Sequence, residues 1–190
     1  THAFATASLR NLQNGPAVLA KLAQEGLTVR LLSAKEEAAC DFYGLLAAGC
    51  PDNGLGFDLG GGSCQIFTYE KIRLQQSVSL PMGSLAMYNS FVRGILPTQK
   101  ERKAIAKFAQ KQLAPYSFLS DCGYQTIFAI GGTIRATAKL HRAFLGQDIP
   151  INGYLLQVSQ LEDLCALLKS LDMQGIRMME KVAPERITTL

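Results

Sequence analysis

Two short glycine clusters, each at the end of an apolar run, constrain this chain more than any other feature. The first lies in GFDLGGGSCQIF, residues 56–67, and the second in FAIGGT, residues 128–133. Glycine inside a strand pattern loses packing and costs backbone entropy, so three in a row mark a tight turn or a close approach by another group. In the first cluster the run through Asp58 passes into Gly60, Gly61, Gly62 and Ser63. Successive N–H groups with no Cβ in the way form an anion-binding concavity there, and Ser63 adds a hydroxyl. A β-bulge or a crowded helix crossing uses glycine in the same way, so this turn alone leaves both readings open. The second cluster, Gly131 and Gly132, leads directly into a helix expected to begin at Thr133, where helix-terminal N–H groups join the site. Two such turns at the ends of two strands favour a nucleotide or polyphosphate cleft. Asp58 faces the same cavity, and a carboxylate repels phosphate unless a cation intervenes. Hydrated Mg²⁺ is the economical choice.

Bulk composition narrows the class. A chain of 190 residues that is 48% hydrophobic and 18% charged packs as a globular protein. The net charge of +4 comes from basic residues scattered singly, which suits a small anionic ligand better than a nucleic-acid groove. The five cysteines, Cys40, Cys50, Cys64, Cys122 and Cys165, stand at spacings that match no zinc or redox pair, and their odd number points to a reducing cytosol. No run approaches the roughly eighteen apolar residues of a membrane span, and the N-terminus lacks the pattern of a signal peptide. The abrupt start at THAFATASLRN and the stop at APERITTL read as a piece of a longer protein.

Along the chain, HAFATAS alternates as a short strand, and NGPAVLAKLAQEG reads as a helix with Pro16 in its first turn and Gly26 past its end. LTVRLLS is a second strand. SAKEEAACDFYGLLAAG opens on a Ser33 N-cap with Glu36 as capping-box partner and closes on Gly49. Residues 1–49 are therefore βαβα, which implies a parallel arrangement. CPDNG, residues 50–54, is a turn cluster and the expected domain boundary. Beyond it, LGFDLGGGSCQIFTYE and IRLQQSVSLPMG read as the two arms of a hairpin whose first arm carries the glycines. SLAMYNSFVRG and TQKERKAIAKFAQKQLAPY are helical, the latter burying Ile105, Phe108, Ala109 and Leu113. A strand ending in Gly131-Gly132 and its helix follow, then YLLQVS, the amphipathic helix QLEDLCALLKSL, and a last helical piece through Met178 and Met179. His2 and His141 read as a terminal residue and a helix-surface residue.

At this point the chain resembles a known family. ATASLRN (5–11), SAKEEA (33–38), FDLGGGS (57–63), SLPMGS (79–84) and IGGT (130–133) stand in the order and spacing of the exopolyphosphatase and guanosine-pentaphosphate phosphohydrolase (Ppx/GppA) family, and APER (183–186) resembles the start of its next motif. The resemblance implies the actin-like ATPase superfamily: an α/β, ribonuclease-H-like fold with a mixed five-stranded sheet and flanking helices, here part of a two-domain protein. Residues 1–50 would then be the end of the first domain and 51–190 most of the second. The activity it implies is release of terminal phosphate from inorganic polyphosphate or guanosine pentaphosphate by Mg²⁺-assisted attack of water. Glu37 would be the catalytic base. Asp58 would bind Mg²⁺, and Gly60, Gly61, Gly62, Ser63, Gly131, Gly132 and Thr133 would line the phosphates, with Arg10 and Arg186 near the anion. Helix capping accounts for Glu36 and Glu37 equally well from the residues alone. The implied partners exclude nucleic acid and membrane, with a homodimer of the full-length protein left open.

Two departures matter. The family usually continues its glycine turn with Ser-Thr-Glu, whereas this chain has Ser63-Cys64-Gln65, so an uncharged amide stands where a second metal-binding carboxylate is common. The family's opening Asp-x-Gly-Ser-x-Ser phosphate turn would precede Thr1, so residues 1–190 alone are expected to be a poor catalyst. A binding module that senses polyphosphate or a nucleotide without hydrolysing it is the second reading. An ATP-dependent kinase of the same superfamily is a third, disfavoured because no sugar-binding constellation is visible.

Overall fold

The computed structural model describes residues 2–10, 12–121, 123–169 and 173–186. Two short strands, β1 (Ala3–Ala5) and β2 (Val29–Leu31), pair in parallel, connected through α1 (Ala7–Arg10) and α2 (Gly15–Gln24). Gly26 closes α2 at φ +81°, as its place in the sequence predicts. After β2 the Ser33 hydroxyl accepts from the Glu36 N–H while the Glu36 carboxylate accepts from the Ser33 N–H, so the predicted capping box opens α3 (Ala34–Ala47). Each such cap is worth about 1 kcal/mol.

The second sheet is mixed and has the order β5-β4-β3-β6. It is built from β3 (Gly54–Leu59), β4 (Cys64–Glu70), β5 (Arg73–Leu80) and β6 (Ile127–Ile130). β3, β4 and β5 form an antiparallel meander, and β6 joins β3 in parallel. The glycines therefore do not interrupt the arm of one long hairpin. They are the turn of a first hairpin, β3–β4, and Lys71-Ile72 turns the second at positive φ. Among the described residues the sheet has four strands where five were expected. Residues 146–157, which follow α7 (Gly132–Phe144), run as turns and coil, with the Arg142 guanidinium donating to the Ile149 carbonyl at 2.7 Å.

Period-two alternation gives the sheet two apolar faces. One, with Leu55, Cys64, Ile66 and Leu80, is covered by α4 (Ser84–Phe91) and α5 (Gln99–Leu113), and α5 brings Ile105, Phe108, Ala109 and Leu113 to it as its spacing predicts. The other packs Phe67 and Tyr69 against Ala38, Phe42 and Leu45 of α3. The Phe42 ring centroid lies 5.3 Å from that of Tyr69 and 6.4 Å from that of Phe67. Burying large aromatic side chains like these contributes about 1.5–3 kcal/mol each. Through α3, residues 1–50 thus share a core with the sheet that follows them.

The remaining elements are α6 (Phe118–Asp121), α8 (Val158–Lys169), α9 (Met173–Val182) and a 3₁₀ turn at Pro184–Arg186. α7 starts at Gly132, one residue before the expected Thr133. His141 is not a surface residue: α7 turns it inward, where its Nδ1 lies 2.7 Å from the Tyr154 hydroxyl. His2 is exposed, as expected of a terminal residue. Cys40, Cys50, Cys64 and Cys165 are free thiols, and Cys122 lies outside the described residues. No helix among the described residues is long and apolar enough to cross a membrane.

Candidate functional site

Because β3 and β6 are parallel neighbours, the turns that follow them emerge at the same end of the sheet. Asp58 is the register partner of Ile130, so Gly60–Ser63 and Gly131–Thr133 lie side by side. The first turn is closed by the Gly60 N–H donating to the Ser63 carbonyl at 3.0 Å. Its outer carbonyls are capped by α4: Ser84 N–H donates to Gly60 O and Ala86 N–H to Gly61 O, each at 2.9 Å. Gly83 permits that docking, since a Cβ there would strike the Gly61 carbonyl. The N–H groups of Gly61 and Gly62 donate to no backbone carbonyl among the described residues, an arrangement that can receive an anion.

At the second turn Gly131 has φ +103°, and a Cβ on it would meet the Asp58 carboxylate and, at 2.9 Å, the Leu59 carbonyl. Gly132 opens α7 with the Arg186 guanidinium against it. Arg186 Nη1 is 3.4 Å from the Thr133 hydroxyl, which is itself 3.0 Å from Ser84 Oγ. Thr133 is thus buried as a joint between α7, α4 and the 3₁₀ turn, and it offers the site its N–H rather than its side chain.

α3 and α1 border the first turn. Glu37, in the first turn of α3, accepts from Arg10 Nη2 at 3.1 Å, while Arg10 Nη1 donates to the Leu32 carbonyl at 2.7 Å. Arg10 therefore holds the candidate base instead of standing free beside the anion, and Ala7 of the same short helix lies next to Gly62. Glu36 keeps to the cap and pairs with Arg30, whereas the Glu37 side chain pairs with Arg10 instead.

Asp58 and Gln65 are register partners across the β3–β4 hairpin and so share one face, the face that α3 covers. Gln65 is fully buried, and its amide nitrogen reaches Ser63 Oγ at 2.9 Å and Ser79 Oγ at 3.4 Å. Asp41, one turn after Glu37, was not singled out from the sequence. The signal for it was an acidic residue four positions after Glu37 on a helix whose adjoining positions are apolar. Burial, then the charges of Asp58 and Glu37, push its carboxyl up to about 7. Asp58 is raised above the usual carboxylate range by burial and by Glu37, with Arg135 pulling the other way. Burial and Asp58 push the Cys64 thiol up to about 12, which makes it inert.

Asp41 Oδ2, Asp58 Oδ1 and Gln65 Oε1 are buried without a hydrogen-bond partner among the described residues. No group of three His, Cys, Asp or Glu side chains among those residues is gathered to hold a metal. Hard oxygen donors left without partners, on carboxylates that repel one another, nevertheless fit Mg²⁺, which takes one or two carboxylates and keeps several waters. A cavity of about 440 Å³ lies at the other end of α7, around His141, Ile149 and Tyr154. It contains no lysine or arginine, so its chemistry is not that of an anion site.

The architecture recurs in solved structures. The Aquifex aeolicus Ppx/GppA family member superposes with a TM-score of 0.77 at 23% identity, over 99% of this chain and 61% of that one. An exopolyphosphatase from Cytophaga hutchinsonii superposes with a TM-score of 0.84 at 18% identity, over 99% and 62%. An exopolyphosphatase-like protein gives 0.81 at 19%, over 99% and 61%. These likenesses establish the fold, and the chain spans about 61% of the length of the first of these relatives. The sequence profile of the Ppx/GppA phosphatase family matches residues 1–190, the whole of the chain that carries these turns, and the chain belongs to that family.

Proposed function

We propose that the complete protein hydrolyses a terminal phosphoanhydride bond of inorganic polyphosphate or guanosine pentaphosphate by Mg²⁺-assisted attack of water. The observation that supports this most is the convergence of both glycine turns at one sheet end, with Glu37 electrostatically close to Asp58. In this reading the N–H groups of Gly61, Gly62 and the first turn of α7 hold the terminal phosphate oxygens, and Arg186 adds positive charge beside Gly132. Glu37, oriented through Oε2 by Arg10, takes a proton from the attacking water at Oε1. Asp58 and Gln65 hold Mg²⁺, which when bound neutralises charge on the phosphate chain. Positioning and electrostatics carry most of the barrier reduction, as in other phosphoryl transfers. Residues 1–190 alone turn over poorly in this reading, and the expected location is cytoplasmic.

A polyphosphate or nucleotide sensor of the same fold is the second reading. The uncharged Gln65 favours it, because an amide weakens metal binding relative to a carboxylate. Phosphate release by the complete protein from polyphosphate and from guanosine pentaphosphate separates the two. Hydrolysis is expected, and Glu37→Gln should lower it by about 10²–10⁴ while leaving substrate binding intact. Tight binding with no phosphate released by the wild type would overturn the hydrolase in favour of the sensor.

A further inference from the structure

Asp41 carries an assignment that rests on the metal reading above and extends it. Phe42 packs on Phe67 and Tyr69, so α3 runs along β4. Gln65 stands two residues before Phe67 on that face. Two strand residues advance about 6.6 Å and four helical residues about 6 Å, so the turn from Glu37 to Asp41 lies over Gln65 and its cross-strand partner Asp58. Three buried oxygens without partners among the described residues belong to the elements that meet here: Asp41 Oδ2 on α3, Asp58 Oδ1 on β3 and Gln65 Oε1 on β4. Asp58 and Gln65 are paired across the hairpin, and the Asp58 charge acts on Asp41. Gln65 is 0% exposed, so its amide oxygen has no route to bulk water. The charges that bear on Asp41 are the carboxylates of Asp58 and Glu37, and Arg10 is already committed to Glu37. Buried polar atoms without partners are costly and demand a physical reason. Two carboxylates and an amide, all hard oxygen donors, are satisfied together by one small divalent cation.

We infer that Asp41 is a ligand of the divalent cation site together with Asp58 and Gln65, supplying from α3 the second negative charge that Gln65 lacks.

Mn²⁺, whose free signal is read by electron paramagnetic resonance without any turnover, tests this in the complete protein. Asp41→Asn, which preserves volume but removes the charge, should weaken Mn²⁺ binding at least about tenfold, as Asp58→Asn should. Asp41→Glu, which restores a carboxylate, should recover part of the loss, which a purely structural role for Asp41 does not require. Should Asp41→Asn fail to melt cooperatively in chelator, Asp41→Ser carries the same comparison. Wild-type affinity in Asp41→Asn alongside weakened binding in Asp58→Asn would overturn the assignment of Asp41 and leave the metal reading standing. No Mn²⁺ bound by the wild type at millimolar concentration would overturn both.

Discussion

Arg10 Nη2 lies 3.1 Å from Glu37 Oε2, and the other end of the same guanidinium is fixed on the Leu32 carbonyl at 2.7 Å. The candidate base is thus held by a residue from α1, which approaches the first glycine turn at Gly62. A fork of this kind fixes a carboxylate's direction as well as its charge.

Arg10→Gln should therefore act on turnover more than on substrate affinity. If Arg10 positions Glu37, kcat falls about 10- to 100-fold with KM little changed, since a misplaced base costs that much. Were Arg10 instead a phosphate ligand, KM would rise at unchanged kcat. Steady-state kinetics of the complete protein on polyphosphate decide between the two.

Gly131→Ala should cost more than Gly49→Ala. Both glycines have positive φ, +103° and +81°, but a Cβ at Gly49 meets nothing within 4 Å while one at Gly131 strikes Asp58 and Leu59. Backbone strain alone is worth about 1 kcal/mol, and the overlap should bring Gly131→Ala to about 3 kcal/mol. Chemical denaturation of the two variants checks the order, and equal losses would count against the close approach of β3 and the α7 turn.

Without a divalent cation, the Asp41-dependent part of stability should fall as pH rises. The folded protein holds the Asp41 proton up to about 7, whereas the unfolded chain releases it near the ordinary value of 3.8. Between those values the native state binds more protons than the unfolded state, so the linkage slope is negative and the contribution is full only at the acid end. Asp58, raised for the same first cause, adds the same sign. Thermal melts in chelator from pH 4 to pH 8 should show the wild type losing ground to Asp41→Asn through this window, and parallel curves would contradict it.

Gln65→Glu should behave oppositely with and without cation. A third carboxylate beside Asp58 and Asp41, in a wholly buried position, lowers the melting temperature in chelator. Added Mg²⁺ should restore it and act at lower concentration than in the wild type, because a hard cation gains an anionic ligand. A lower melting temperature with unchanged metal dependence would remove Gln65 from the site.

Local signals read well wherever a few neighbouring residues decide the outcome. The Ser33–Glu36 capping box, the Gly26 and Gly49 helix ends and the half-buried apolar stripe of α5 needed only short-range geometry. The strand pattern was less complete. LGFDLGGGSCQIFTYE reads as one extended arm because both halves are apolar, and its division into β3 and β4 depends on pairing between the halves. His141 misled for the same reason: nothing near it in sequence reveals that Tyr154 will bond it.

By itself the amino-acid sequence determined the family, the glycine turns and the identity of Glu37, Asp58 and Gln65 as chemically distinctive residues, because motifs and caps are encoded within a few positions. Tertiary structure alone decided what those residues face. The pairing of Asp58 with Gln65, the grip of Arg10 on Glu37 and the placement of Asp41 over the hairpin join residues between 7 and 27 positions apart in the chain. The physical reason is that α3 must bury Ala38, Phe42 and Leu45 on the sheet that begins only at Gly54. Burial of that apolar face, not any local preference of Asp41, brings its carboxylate to the face of the sheet that carries Asp58 and Gln65.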